Sequence, residues 1–451
     1  MNPNLKKYKV TPSVIPADKE SVITISSLDG NLRFYDDVTY EVKIYPQDMS
    51  DVPLDEEMSL LGYNTNRKTL YVKPVNGELK IKYYFGGEQE WKIRVSTKEY
   101  KKYQNPIYKY YSYHWDHLIF LPENGIDFYV YSLKEDLYSK RALRGDLHLH
   151  TIRSDGDESP EYVAARYRKA GRDFIAITDH NVFYSQDDAK VDLDFVKNFK
   201  IIPGEETHNG YLGFLHTVNI GGNYSLNEIY INDPERVKRE VAELEKEVEV
   251  PEGLDKKEYL NRVWLYREAK KSGGFVIHAH PYWNIGFYHT STEMSKAMIK
   301  NGLCDAFEVI GGCTRPSGNN LQVALYNELR AEGYDIPIVG STDSHSVLKE
   351  EYLKRSTVTF TDNDDIIDAI SKGYSVAVES EPGEKLRVYG KLRYVMYTHF
   401  LLENYFPVHE DLCSVSGTYL EEYVHGSDEL KSLIEKAEEK VVAFEKEFFG
   451  R

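Results

Sequence analysis

The feature that most constrains this chain is a change of rhythm near Lys140. From about Val22 to Tyr131 apolar and polar residues alternate, as in Thr39-Tyr40-Glu41-Val42-Lys43-Ile44-Tyr45 and Glu78-Leu79-Lys80-Ile81-Lys82-Tyr83-Tyr84. Period two puts alternate side chains on opposite faces of a strand, so this part reads as β-strands. Asp29-Gly30, Asn76-Gly77, Gly86-Gly87 and Asn124-Gly125 supply turns, and a small antiparallel β-sandwich is expected over residues 1–138. After Lys140 short apolar runs (Phe174–Thr178, Ile201-Ile202, Phe275–Ile277, Ala306–Ile310, Ile338–Gly340) alternate with amphipathic stretches. That is the pattern of parallel β/α construction, so an α/β fold with a distorted β/α barrel is expected over 139–385. Ser159 and Pro160 open a helix that Gly171 closes. A charged helical insertion at about 221–270 interrupts the alternation; it reads as a solvated cap, with a lid as the alternative. Residues 386–451 form a mostly helical C-terminal extension, in which Ser427 to Phe449 reads as a surface helix and a candidate homo-oligomer contact.

Length and composition narrow the function classes. A chain of 451 residues is too long for one ordinary core, and 41% hydrophobic with 29% charged residues is a globular mix. No apolar run reaches eighteen residues and none follows Lys6-Lys7, so neither a membrane span nor a cleavable leader is expected. Cys304, Cys313 and Cys413 have no metal-type spacing and no disulfide framework, which points to a reducing cytoplasm. A formal charge of −17 disfavours nucleic acid as a partner, while a small phosphorylated substrate can still reach a metal. Most of the 37 tyrosines suit half-buried strand positions.

Metal-ligating residue types gather at the ends of the expected barrel strands: His148 and His150, Asp179 and His180, Glu205 and Glu206, His278 and His280, Asp343 and His345. Strand C-termini converge on one face of a β/α barrel, so residues distant in sequence would meet there. His148 and His150, at i and i+2, point to the same side of a strand. One such pair is weak evidence, but five at strand ends indicate a metal site. Imidazole and carboxylate at this density suit Zn, Mn or Fe, and a bridging carboxylate offsets the repulsion between two cations.

These residues resemble the motifs of the PHP (polymerase and histidinol phosphatase) superfamily over about 144–377. The first resembles Asp146-Leu147-His148-Leu149-His150-Thr151 with Ser154-Asp155-Gly156, and the second Ala176-Ile177-Thr178-Asp179-His180-Asn181 followed by Ile202-Pro203-Gly204-Glu205-Glu206. The third is similar to Ile277-His278-Ala279-His280-Pro281 and the fourth to Gly340-Ser341-Thr342-Asp343-Ser344-His345. The order of sandwich and barrel is similar to the branch that includes carbaryl-type carbamate hydrolases. The resemblance implies two to three divalent transition-metal ions: His148, His150, Glu206 and Asp343 at the first, Glu206, His216 and His280 at the second, Asp155, His180 and His345 at the third. It also implies a nucleophilic hydroxide held by way of Glu206 and Asp343.

Several neighbours have other readings. Glu205 is expected to face away from Glu206. His208, two residues beyond Glu206, competes with His216. Asp179 is expected to orient His180. His278 shares the side of His280 and, with Arg315, is a candidate substrate-binding residue. Glu308 reads equally as structural or catalytic. Phosphoester hydrolysis leads the functional expectations, because three clustered cations match the three free oxygens of a phosphate on a small molecule. Ester, amide or carbamate hydrolysis at the same site is the close alternative. A non-catalytic carbohydrate- or partner-binding protein is the third. No Ser-His-Asp order or nucleophile elbow supports covalent catalysis.

Overall fold

The computed structural model describes residues 4–48, 68–97, 125–183, 193–208, 215–284, 286–313, 316–380 and 386–451. They fall into two compact units, Met1–Lys140 with Met396–His409 and Val441–Arg451, and Arg141–Val395 with Glu410–Lys440. The strands of the first unit are β1 (Tyr8–Thr11), β2 (Val14–Pro16), β3 (Lys19–Ser27), β4 (Tyr40–Pro46), β5 (Lys68–Val72), β6 (Leu79–Phe85), β7 (Gln89–Ser96) and β8 (Ile126–Leu133). They form one sheet ordered β1-β3-β6 and another ordered β2-β8-β7-β4-β5. The period-two pattern is what the burial shows: Val42 and Ile44 of β4, Ile81 and Phe85 of β6, and Ile93 and Val95 of β7 share a single core. Asn76 and Gly77 both take positive φ (54° and 78°) and reverse the chain between β5 and β6. One pairing departs from the expected antiparallel plan, because β2 runs parallel to β8. The chain reaches β2 from β1, in the other sheet, so no hairpin dictates its direction.

The expected C-terminal surface helix forms as Lys431–Phe449, but its apolar stripe, Ile434, Ala437, Val441 and Phe448, is buried within the chain. In the first unit Tyr405 packs against Phe444, Phe448 and Phe449 at centroid distances of 5.0–5.5 Å.

The second unit carries β9 (Arg141–Asp146), β10 (Phe174–Ala176), β11 (Lys200–Ile202), β12 (Gly204–Thr207), β13 (Thr217–Ile220), β14 (Phe275–His278), β15 (Ala306–Ile310), β16 (Ile338–Gly340), β17 (Arg355–Thr361), β18 (Ser375–Glu379) and β19 (Arg387–Tyr389). Each apolar run expected as a strand contributes one. Their assembly differs from a regular parallel barrel: two mixed sheets form, ordered β11-β10-β9-β17-β18-β19 and β12-β13-β14-β15-β16. β12, β13 and β14 pair antiparallel, as do β9, β17, β18 and β19. Pro203 sits between β11 and β12, and without an N–H to donate it marks the point where the chain leaves one sheet for the other.

Ser159 caps the helix Pro160–Lys169 by accepting from the Tyr162 amide, and Gly171 follows its end at φ 73°. The helical insertion forms as Leu226–Asn232, Pro234–Leu244 and Lys256–Lys271. Pro234–Leu244 buries only Val237 and Leu244 and is otherwise solvated as expected, whereas Lys256–Lys271 is largely buried. Tyr230, Val237, Tyr259, Leu260 and Trp264 share a core with Phe307 and Ile310 of β15. Its charge density misleads because the ions pair along and between the helices, as in Arg262 with Glu258 and Arg236 with Glu268.

Candidate metal centre

Backbone hydrogen bonds draw the four sequence motifs together. Asp343 N donates to His148 O and His150 N to Ser344 O (2.8 and 2.9 Å), which sets the fourth motif beside the first. Thr178 N donates to Leu149 O and Glu206 N to Thr178 O (2.9 Å each), which adds the second motif and β12. Asp146 fastens the junction from below: its carboxylate accepts from Tyr167 Oη (2.9 Å), Thr342 Oγ1 (2.5 Å), Thr342 N (3.1 Å) and His148 N (3.2 Å).

Glu206 lies at the middle. Its Oε2 is 3.2 Å from His148 Nε2 and 3.4 Å from both His150 Nε2 and His180 Nε2. Its Oε1 is 3.0 Å from His216 Nδ1 and 3.1 Å from His280 Nε2. Asp343 Oδ1 stands 3.3 and 3.1 Å from the Nε2 atoms of His148 and His150. At the more open edge Asp155 reaches His345 Nε2 (3.3 Å) and His150 Nδ1 (3.6 Å). Two of the three ligand sets implied by the sequence therefore assemble as groups with ligand atoms within 4.8 Å of one another: His148, His150, Glu206 and Asp343, and Glu206, His216 and His280. In the third, His150 rather than His180 joins Asp155 and His345, and His180 groups with His208 and His216.

The donor set fits a cation. His148 Nε2 and His150 Nε2 are buried and make no hydrogen bond, although carboxylate oxygens lie within 3.1–3.4 Å of them. A buried polar atom left so costs about 1–3 kcal/mol, and a cation between the nitrogen and oxygen lone pairs would satisfy both sides. The electrostatics agree. Burial disfavours charge on His148 and His150, yet Asp343 and Glu206 outweigh it, raising His148 well above its ordinary value and His150 to about 9. Burial likewise opposes charge on Glu206 and Asp343, and the surrounding imidazoles hold both below the carboxylate range. Burial pushes His180 down to about 4, which leaves a neutral ring able to ligate.

A surrounding layer fixes the ligands. Glu308 Oε2 is 2.9 Å from His148 Nδ1, and its Oε1 accepts from His280 N at 3.3 Å. The Nδ1 of His345 is 2.9 Å from the Asp343 carbonyl oxygen. A Cβ added to Gly312 would collide with Asp343, and one added to Gly311 with Glu308. Three non-glycine residues here take left-handed backbone, Asn181 (φ 57°), His280 (φ 22°) and Asp343 (φ 53°), a strain of about 1–3 kcal/mol each that concentrates at functional sites.

Asp179 does not orient His180. It accepts from Thr151 N and Oγ1 (2.7 Å each) and Ser154 Oγ (2.6 Å), fixing the loop that carries Asp155, while His180 Nδ1 has no hydrogen-bond partner among the described residues. Glu205 faces away from the cluster, accepting from Asn219 Nδ2, Ser225 Oγ, Leu226 N and Asn227 N. His278 is not brought to the cluster: its Nε2 is 3.1 Å from Ser295 Oγ and its ring stacks on Phe307. Arg315 lies outside the described residues. Sequence reasoning missed the staple role of Asp146 and the proximity of His289, whose ring centroid is 4.5 Å from that of His216. Asp146 could have been suspected from its place two residues before His148; nothing in the sequence around His289 marks it.

No family model matches the sequence, and no curated protein matches it. Solved structures that resemble it include a two-domain protein from Bacteroides vulgatus that contains a predicted PHP-like metal-dependent phosphoesterase, 20% identical over 53% of this chain and 66% of that one, with a TM-score of 0.37. A protein from Bifidobacterium adolescentis assigned as a metal-dependent phosphoesterase is 20% identical over 46% of this chain and 88% of that one, with a TM-score of 0.32. An amidohydrolase from Chromobacterium violaceum, bound to sulfate without metal, is 17% identical over 45% and 87%, with a TM-score of 0.29. At such TM-scores the likeness carries no argument about activity, which has to come from the side chains.

Proposed function

We propose that this chain is a metal-dependent hydrolase whose centre is organised by Glu206. The observation that carries the reading is that the two oxygens of this one buried carboxylate face two different sets of imidazoles, His148, His150 and His180 on one side and His216 and His280 on the other. That is the arrangement of a bridging ligand. His148, His150, Glu206 and Asp343 would hold a first ion, Glu206, His216 and His280 a second, and Asp155 and His345 with His150 or His180 a third. Zn, Mn or Fe suits these donors, and when bound such ions acidify a water and polarise the bond to be broken.

The protein groups have separate tasks. Glu308 keeps the His148 ring turned so that Nε2 points at the carboxylates. Asp146 holds the first and fourth motifs in register. Asp155 and His345, the more exposed members, are placed to meet the substrate. The bridges Leu149–Ser344 and His180–Glu206 join strand ends of the two sheets, and they support reading the sheets as one strongly distorted barrel. Phosphoester hydrolysis is the favoured reaction, since three neighbouring cation sites match the free oxygens of a phosphate; the sandwich preceding the metal-binding unit favours ester, amide or carbamate hydrolysis as the second reading.

Elemental analysis of the purified protein, followed by hydrolysis of para-nitrophenyl phosphate, bis-para-nitrophenyl phosphate, aryl esters and aryl carbamates with Mn, Zn or Fe, tests this. Two to three ions per chain and turnover of one substrate class are expected. Fewer than one ion per chain after reconstitution would sink the proposal.

A further inference from the structure

His208 belongs to none of the three ligand sets, yet the fold aims it at two of their members. Thr207 at the end of β12 pairs with Thr217 of β13, so the next step of the same register sets His208 opposite His216. His208 lies two residues after Glu206, and His216 two before Val218, the partner of Glu206. Both histidines therefore project from the side of the hairpin that carries the Glu206 carboxylate. The backbone there is held firmly. Thr207 Oγ1 donates to Thr217 O at 3.0 Å, and the buried amide of Asn227 donates to Glu206 O at 3.0 Å while accepting from His208 N at 2.9 Å. His180 is brought alongside by its bridge to Glu206.

The three rings form a nearly regular triangle. Centroids stand 5.1 Å apart for His180 and His208, 4.9 Å for His180 and His216, and 5.2 Å for His208 and His216, with interplanar angles of 79°, 60° and 45°. None of these pairs is stacked, so ring edges can turn to a common point, and one nitrogen of each lies within 4.8 Å of the others. Three imidazoles on a tetrahedral zinc, with Zn–N about 2.0–2.1 Å, have ring centres about 5 Å apart. His180 Nδ1 is buried without a hydrogen-bond partner among the described residues. The group of Asp155, His150 and His345 closes without this ring.

His180 Nε2 and His216 Nδ1 face Glu206 at 3.4 and 3.0 Å. A neutral imidazole carries one N–H and one lone pair, so a ring that turns its N–H to this carboxylate keeps the lone pair of its other nitrogen for a cation. Carboxylates commonly orient zinc-bound histidines in this way.

We propose that His180, His208 and His216 form a further cation site, all nitrogen, with a fourth position open, that takes zinc in preference to manganese. The three sets described above each contain a carboxylate, which suits manganese; a tetrahedral group of imidazoles does not. His216 has one lone pair to give, so zinc held here competes with the second set for that ring. The inference goes beyond the hydrolase reading, and its test needs no turnover.

The test uses the full chain, stripped of metal and reconstituted with cobalt, in His208→Cys. A thiolate bound to cobalt adds charge-transfer absorption in the near ultraviolet, and this should appear over the wild-type spectrum. Zinc should abolish it at a concentration where manganese does not. Adding His180→Asn or His216→Asn should weaken the cobalt affinity read from this absorption by about a hundredfold or more, whereas adding His280→Asn, which alters only the second set, should leave it. No added absorption in a His208→Cys protein that melts in a single transition overturns the proposal. So does an absorption that survives His180→Asn and is lost with His280→Asn, because residue 208 would then serve the second ion. Cobalt at this position in a protein that hydrolyses none of the esters would uphold the site and refute the hydrolase reading, so the two failures are distinct.

Discussion

The two sides of strand β12 treat adjacent carboxylates in opposite ways. Glu205 and Glu206 are both buried. On one side Glu205 accepts from four fixed donors, including the first amides of the helix Leu226–Asn232, which favour its charge although burial still holds its carboxyl above the usual range. On the other side Glu206 has five imidazoles and the neighbouring carboxylate Asp343. Donors in fixed positions complete a fold. Of the five, His148 Nε2 and His150 Nε2 approach their carboxylates without completing hydrogen bonds, whereas His280 Nε2 pairs with Glu206 Oε1 at 3.1 Å, and a cation would settle the charge left at the unpaired atoms.

The comparison can be tested on each side. Glu206→Gln removes charge from two ion sites while nearly keeping shape, so metal content and turnover should drop together by about a hundredfold or more, read by elemental analysis and steady-state kinetics. The distinction collapses if Glu205→Gln abolishes metal binding and Glu206→Gln does not. Glu308→Gln weakens the group that orients His148, and metal affinity should fall about ten- to hundredfold in a chelator competition, with the melting temperature of the metal-loaded protein little altered. Glu205→Gln should do the reverse. An amide turned toward donors leaves one of them unpaired, costing about 1–3 kcal/mol in denaturant titration while the metal stays bound.

The smallest effect belongs to a carboxylate with neither kind of partner among the described residues. Glu90, on β7 of the first unit, is pushed up to about 7 by burial and by the nearby Glu403. Because this lies above the ordinary carboxyl value of 4.5, its contribution to stability is present in acid and is lost as pH rises from about 4.5 through about 7. Glu90→Gln should therefore stabilise the protein by about 1 kcal/mol at pH 8, with the gain vanishing near pH 4.5 in melts across that range. A gain that instead grows in acid would show that the sign is wrong.

What could be read from the sequence followed what repeats. The alternation in β4, β6 and β7 and the apolar runs of β10, β14, β15 and β16 are one-dimensional signals, and the strands form where these signals lie. β17 was missed because Thr357 and Thr359 look polar; they are buried, with Thr357 Oγ1 donating to Gly340 O at 2.8 Å. Sheet direction was not readable, since antiparallel β12, β13 and β14 depend on how the chain turns after Pro203. The opposite facing of Glu205 and Glu206 was legible because adjacent strand residues must diverge. Asp179 was misjudged for the complementary reason. Its partners Thr151 and Ser154 come from another motif, and sequence order gives no hint of which neighbour a loop carboxylate will choose.

The left-handed backbone at Asn181, His280 and Asp343 has an evolutionary consequence. Glycine would adopt these angles without penalty, so the side chains persist there only under selection for what they do. In a lineage released from that selection, drift should carry positions 280 and 343 toward glycine or asparagine earlier than positions 148 or 206, whose backbone is unstrained. Relatives could then be sorted into working and lapsed copies by two residues, before any is assayed.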